Sequence, residues 1–198
     1  MTADNSDELD RSDMARLASG HDAALNDLME RHGQKLFHYL IRLLHDEEEA
    51  ADLAQETFVR VYRTCARFRT GSKFSTWLYT IATNLARDRL RWQSRHPRVP
   101  LNAPSGNPGP SLAGVLASAD LTPSETLEVE ERTAAVRRAV ADLPEELRVP
   151  LVLAEYEGQS QAEIAAVLNC SAKAVEMRIY RARKELREKF GQWLRNFE

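Results

Sequence analysis

Cysteine is nearly missing from this chain. Only Cys65 and Cys170 occur among 198 residues, with no CxxC or HExxH spacing. The five histidines are scattered, and none stands three residues after a glutamate. These absences argue against a disulfide scaffold, a zinc site and a di-iron bundle. The carboxylate-rich stretch 46–56 has no histidine at ligand spacing either. No cofactor, no metal and no enzymatic constellation are therefore expected. Each cysteine lies at or near an apolar helical face, where a free thiol acts as a small hydrophobe, so both are expected buried and reduced. No apolar run approaches the ~20 residues that span a bilayer. The polar N-terminus does not have the form of a signal peptide. Those two features point to the cytoplasm, without membrane insertion.

Glycine and proline are also scarce, eight of each, and six of the prolines fall between 97 and 123. Elsewhere helix formers dominate. The expected fold class is all-α: two small helical domains joined by a flexible linker, the C-terminal one containing a helix-turn-helix. The boundaries read as an acidic tail over 1–12, a first helical domain over 13–96, a Pro/Gly-rich linker over 97–123 and a second domain over 124–198. Residues 1–13 hold five acids against one Arg and little apolar content, which reads as a loose tail, with a short helix from Asp13 to Ala18.

The net charge of −3 conceals segregation. Residues 45–56 carry six acids and no Lys or Arg, whereas residues 87–98 carry five Arg and one Asp. An acidic total does not exclude nucleic acid when basic residues are gathered locally, and the acidic stretch could face a basic partner.

Three helices are legible in the first domain. Leu25, Leu28, Met29, His32, Leu36, Leu40, Leu43 and Leu44 form one stripe, on which His32 reads as a packed, hydrogen-bonded histidine. Asp46 can cap the next helix, with Leu53, Ala54, Thr57, Phe58, Val61 and Cys65 inward and Asp52, Gln55, Glu56 and Arg60 outward. After a loop at 67–73, Phe74, Trp77, Leu78, Ile81, Ala82 and Leu85 face inward. Thr80, Asn84, Arg87, Asp88, Arg91 and Arg95 face out, a pattern suited to a nucleic-acid strand: arginine for phosphate, aromatics for unstacked bases. In the second domain Leu127, Arg132, Val136 and Val140 lead to Asp142. Pro144 starts a helix that ends near Gly158, and Pro150 should bend or shorten it.

The stretch 160–189 is the most informative. Ser160 and Glu163 have capping-box spacing. Ile164, Ala165 and Leu168 form an apolar face, Asn169 tolerates a left-handed corner, and Ser171 can cap the next helix. There Val175, Ile179, Ala182 and Leu186 pack inward, while Lys173, Glu176, Met177, Tyr180, Arg181 and Lys184 share another stripe, flanked by Arg178, Arg183 and Arg187. Seven Lys/Arg against three Glu between 173 and 189 give +4. A basic helix fits the major groove, where each base pair shows a distinct donor/acceptor pattern, and flanking arginines hold phosphates. This is a helix-turn-helix pattern.

With these residues in place the chain resembles the extracytoplasmic-function (ECF) sigma factors of bacterial RNA polymerase, over about residues 13–190. DEEEAADLAQETFVRVYR at 46–63 resembles the segment that grips the β′ clamp helices of core polymerase. FSTWLYTIATNLARDRLR at 74–91 resembles the segment that melts and reads the −10 element. LPEELRVPLVLAEYEGQSQAEIAAVLNCSAKAVEMRIYRARKEL at 143–186 resembles the domain that reads the −35 element.

The resemblance implies core-polymerase contacts by Asp52, Gln55, Glu56, Phe58 and Arg60. It implies −10 and melting contacts by Phe68, Lys73, Trp77, Asn84, Arg87, Asp88 and Arg91, with a flipped non-template base whose identity the 68–73 loop sets. It implies −35 contacts by Lys173, Glu176, Met177, Tyr180, Arg181 and Lys184, with Arg178 and Arg183 on the backbone. The linker would thread the polymerase channel. Core polymerase (β′ clamp helices and β flap), promoter DNA and an anti-sigma factor are the implied partners. Glu176 and Met177 depart from the basic and small polar residues frequent in the family. An acid can accept from cytosine N4 and Met can meet a thymine methyl, so base preference should differ. No further domain follows the second one, so a fused sensor is not expected. The competing reading is a dimeric helix-turn-helix regulator that acts without polymerase on symmetric half-sites.

Overall fold

The computed structural model describes residues 3–69, 71–96 and 123–195, with side chains described over 6–69, 71–96 and 132–191. The expected linker and the packing of Leu127 lie outside the described residues. Helices α1 (Ala3–Ala18), α2 (Ala24–Leu44), α3 (Glu47–Thr64) and α4 (Phe74–Arg95) build the first half, with a 3₁₀ turn at Cys65–Arg67. Helices α5 (Pro123–Ala141), α6 (Glu145–Glu155), α7 (Gln161–Leu168) and α8 (Ala172–Arg195) build the second. Among the described residues there is no strand.

The apolar stripes predicted for α2, α3 and α4 meet in one core, except Met29 of the α2 stripe, which is exposed. Leu28, Leu36, Leu40, Leu43, Val61, Phe74, Leu78 and Ala82 are almost fully buried. Each of the Leu, Val and Phe side chains contributes roughly 1.5–3 kcal/mol on leaving water, which gives the three helices their drive to associate. Asp46 caps α3 by accepting from the Glu49 N–H at 2.9 Å. His32 is packed and paired as expected: its Nε2 lies 2.8 Å from Asp10 Oδ2, and its ring meets Phe74 at 5.1 Å.

The N-terminal segment differs from the expected loose tail. Helix α1 begins at Ala3, and Met14 and Leu17 are buried against the first core. Its acids are used rather than solvated. Arg31 on α2 donates from Nε to Asp10 (2.9 Å) and from Nη2 to Asp13 (2.5 Å). Burial works against the Arg31 charge, but the hydrogen bonds it donates to Asp13 and Asp10 outweigh it, and the Arg31 pKa moves up. Composition alone suggested disorder, but Met14 and Leu17 are core contacts and Asp10 and Asp13 are buried ion-pair partners.

In the second half α6 runs from Glu145 through Pro150 to Glu155, so the proline neither ends the helix nor displaces the core, where Leu151, Val152 and Leu153 are buried. The α7–α8 corner is as the sequence implied. Ser160 Oγ accepts from Glu163 N, and Glu163 Oε2 accepts from Ser160 N at 2.7 Å, completing the capping box. Asn169 sits at φ 50°, ψ 52°, and Ser171 Oγ accepts the Ala174 N–H. Val175, Ile179 and Ala182 are buried. Neither cysteine is fully buried; both are partly exposed and unpaired with each other.

The two halves are in contact. α7 lies against α4, and α6 and α5 lie against α2. A polar chain crosses the seam. Thr83 Oγ1 donates to the Tyr79 carbonyl, which leaves the Tyr39 hydroxyl to donate to Thr83 at 2.7 Å. The Tyr79 hydroxyl donates to Glu157 Oε2 at 2.6 Å, and Arg42 Nη1 reaches Glu157 Oε1 at 3.4 Å. Beside it Arg148 Nη1 donates to His45 Nε2 at 2.9 Å and to the Ala141 carbonyl. Desolvation and the Arg148 charge hold the His45 pKa below its usual value.

Candidate nucleic-acid interface

Helix α8 is long because its first turn is capped by Ser171 and its inward stripe is continuous to Leu186, which packs partly buried on the core. That inward face leaves the opposite stripe in solvent. Lys173, Glu176, Met177, Tyr180, Arg181, Arg183 and Lys184 are all exposed, Tyr180 at 60%. An exposed tyrosine and an exposed Met177 on one helix face are uncompensated apolar area, which is favourable only when covered. The charges on this stripe are held locally. Lys173 Nζ pairs with Glu176 at 2.9 Å, Lys184 with Glu188 at 3.9 Å, and Arg183 with Glu155 of α6. Such surface pairs are worth at most about 1 kcal/mol and are easily exchanged for phosphate. Arg178 is half-buried at the edge of the stripe, with Nη1 3.7 Å from Cys170 Sγ.

On α4 the structure separates the expected residues into two groups. Asn84, Asp88 and Arg91 are exposed, with Arg91 Nη1 3.8 Å from Asp88. Phe68 and Trp77 are half-buried and pack together with Phe74: ring centroids lie at 5.4 Å for Phe68–Trp77 and 6.3 Å for Phe74–Trp77. Both pack against the first core, so they offer an edge rather than a free ring. Arg87 is partly covered, with its Nε 2.8 Å from Glu145 of α6. Lys73 is caught between two acids, Asp7 of α1 at 3.4 Å and Glu163 of α7 at 2.9 Å. Arg87, Arg91 and Arg178 line one open cleft between the halves with Pro144, Glu145 and Glu146.

On α3, Asp52, Gln55 and Arg60 are exposed and Glu56 is half-exposed, with Arg60 Nε 2.9 Å from Glu56. Phe58 is only 4% exposed, so it supports this face from behind and cannot be a surface contact. Glu49 is also turned inward, accepting from Gln93 and pairing with Arg89 on α4, which removes one acid from the expected acidic surface.

Sequence reasoning missed Glu145, Glu157, Glu163, Tyr79 and Arg42 as a set. Their partners lie 58 to 115 residues away along the chain for the recorded cross-seam bonds of Arg87, Tyr79 and Arg42, and no local spacing announces such pairs. It also passed over Trp92, which is 46% exposed and stacks on His96 at 4.8 Å beside the arginines of α4. An apolar residue off the inward stripe was the available signal.

A capped helix-turn-helix with an exposed basic stripe, joined to a second helical domain with its own arginine-rich face, defines a two-domain DNA-binding protein. Residues 28–96 match the family model for sigma-70 region 2, and residues 133–186 match that for sigma-70 region 4. The chain is 35% identical over 180 residues to the RNA polymerase sigma-H factor of Pseudomonas aeruginosa, covering 90% of this chain and 92% of that one. It is 32% identical over 174 residues to the ECF RNA polymerase sigma factor SigW of Bacillus subtilis, covering 87% and 92%. Among solved structures, CnrH in complex with the cytosolic domain of CnrY superposes with a TM-score of 0.69 at 29% identity, covering 93% of this chain and 98% of CnrH. The chain belongs to the ECF sigma factors of the sigma-70 family. It is an alternative sigma factor, and the dimeric regulator acting without polymerase is set aside.

Proposed function

We propose that the chain binds core RNA polymerase through the outer face of α3, reads a −35 element with α8 and opens a −10 element with α4 and the 68–73 loop. The single observation that carries this is the exposed α8 stripe of Lys173, Glu176, Met177, Tyr180, Arg181 and Lys184 behind a satisfied capping box and a left-handed corner at Asn169. In this reading Arg181 and Tyr180 meet base edges, and Arg183 and Arg178 hold phosphates. Glu176 would accept from a cytosine N4 and Met177 would meet a thymine methyl.

On α4, Asn84, Arg87, Asp88 and Arg91 would face the displaced strand, with Arg91 on phosphate. The rings of Phe68 and Trp77 support the loop that receives the flipped base; unpairing costs a few kcal/mol, which capture of the base offsets. On α3, Asp52, Gln55, Glu56 and Arg60 would meet the basic clamp helices. The protein carries out no chemistry of its own and works in the cytoplasm, where the polymerase is; no described helix is long and apolar enough to cross a membrane. CnrH forms a complex with the cytosolic domain of CnrY, and a protein partner of the anti-sigma kind is proposed for this chain.

Runoff transcription with core polymerase across a randomised promoter library tests the reading. Transcripts should depend on both the chain and core, with enrichment upstream and at the start-proximal element. Transcripts independent of the chain would overturn it.

A further inference from the structure

Stacking an unpaired base takes a flat ring with a free face, beside cations that hold the neighbouring phosphates. The rings of Phe68, Phe74 and Trp77 pack on one another. On α4 the exposed aromatic among the described residues is Trp92, which stands beyond Ala86, the last fully buried residue of that helix. The His96 ring lies nearly parallel to the indole, with centroids 4.8 Å apart and planes 20° apart. His96 Nδ1 is 3.0 Å from the Trp92 carbonyl. A carbonyl only accepts, so Nδ1 carries the proton and ties the imidazole to the helix end. The tied ring takes one face of the indole, while 46% of Trp92 stays in solvent. Arg95 is the neighbour of Trp92 one turn on, and both Arg91 and Arg95 are exposed on the side of the DNA stripe. Asp88 is the one acid in this stretch, and Arg91 lies 3.8 Å from it. From Asn84 to Trp92 the helix rises about 12 Å, roughly three to four base steps of a stacked strand.

We propose that Trp92, with His96 behind it, is a stacking platform for an unpaired base of the displaced strand, whose neighbouring phosphates Arg91 and Arg95 hold. This rests on the reading of α4 as the −10 face and lengthens that face toward the end of the helix. Every base has a π-face, so the platform holds a strand without choosing its sequence. Its share is therefore in the lifetime of the opened promoter, while promoter choice stays with α8 and the 68–73 loop.

The test uses holoenzyme built from the full chain and core polymerase, on two promoters of different −10 sequence recovered from the randomised library. Open-complex lifetime is read after a heparin challenge. Trp92→Leu keeps apolar bulk but removes the ring, and should shorten the lifetime about ten-fold on both promoters. Trp92→Phe should recover most of that loss. Both variants should keep the parent melting curve and co-purify with core, because the side chain is exposed. The fluorescent base 2-aminopurine, placed singly along the non-template strand, should be quenched at one position in the parent complex and released there by Trp92→Leu. A Trp92→Leu lifetime within about two-fold of the parent, no recovery in Trp92→Phe, a loss on only one promoter, a lowered melting curve, or no 2-aminopurine position that responds would each overturn the platform. Arg91→Ala tests the face itself. If it shortens the lifetime while Trp92→Leu does not, the face stands and the platform falls. If neither variant changes the lifetime, the −10 reading of α4 fails as well.

Discussion

Replacing Arg31 with alanine should release α1 without unfolding the domain beneath it. The guanidinium bridges two acids that are nearly out of solvent: the Asp10 side chain is 1% exposed and that of Asp13 is 9%. Removing one partner of a buried ionic cluster costs about 3–5 kcal/mol if the remaining charges stay in place. Against this, α1 is held by the burial of Met14 and Leu17, together worth about 3–6 kcal/mol. The two magnitudes nearly cancel, and the acids have an escape that core residues lack: the helix can leave. His32 loses its Asp10 contact in the same event. Hydrogen exchange read by mass spectrometry should show the amides of 6–18 exchanging freely in Arg31→Ala, with α2, α3 and α4 still protected. Arg31→Lys should fall between, because one ammonium cannot fork to both carboxylates. Parent-like protection of α1 in Arg31→Ala, or a loss spread over α2–α4, would refute the reasoning.

Four further outcomes are expected. Asn169→Ala should lower stability by about 1–2 kcal/mol in urea unfolding, since alanine resists the left-handed corner, whereas Asn169→Gly should stay near the parent value. Asp52→Arg lies on an exposed position and should leave the melting curve within about 0.5 kcal/mol of the parent while abolishing co-purification with core polymerase. Arg181→Ala should weaken promoter binding by about 1–3 kcal/mol and relax discrimination at the upstream element, as footprinting across variant promoters would show. Carboxyl titrations by NMR should place two seam glutamates on opposite sides of 4.5. Glu157 should titrate above it because burial disfavours its charge. Glu163 should titrate below it because the hydrogen bonds from Ser160 and Lys73 outweigh desolvation. By linkage, the contribution of Glu157 to closure is full below its ordinary value and lost as pH rises through the raised one. That of Glu163 is present above its ordinary value and lost as pH falls through the lowered one.

The elements most legible in the sequence were those with short-range causes. Ser160 and Glu163 announce a helix start three residues apart, and Asn169 a corner; both are local chemistry, and both hold. The stripes of α2, α3 and α4 follow from period alone, which also turns Asp52, Gln55 and Arg60 outward. The part of α1 before Asp13 was hidden because its acids suggested solvation, and the part-buried Arg31 that pairs with them lies 18 and 21 residues on. Period turned Phe58 inward and only the resemblance set it among the polymerase contacts, whereas Glu49 sits in an acidic stretch that suggested solvent; packing buries both. The seam of Glu145, Glu157 and Glu163 could not be read at all, because it depends on how two domains meet across residues that no periodicity connects.

The most direct test of the central claim combines purified chain, core polymerase and promoter duplex carrying a fluorescent base analogue in the non-template strand of the −10 element. Fluorescence should rise only when chain and core are both present, and Arg91→Ala should blunt the rise. A chain that fails to join core polymerase, yet binds a palindromic duplex tightly by itself, would contradict the account.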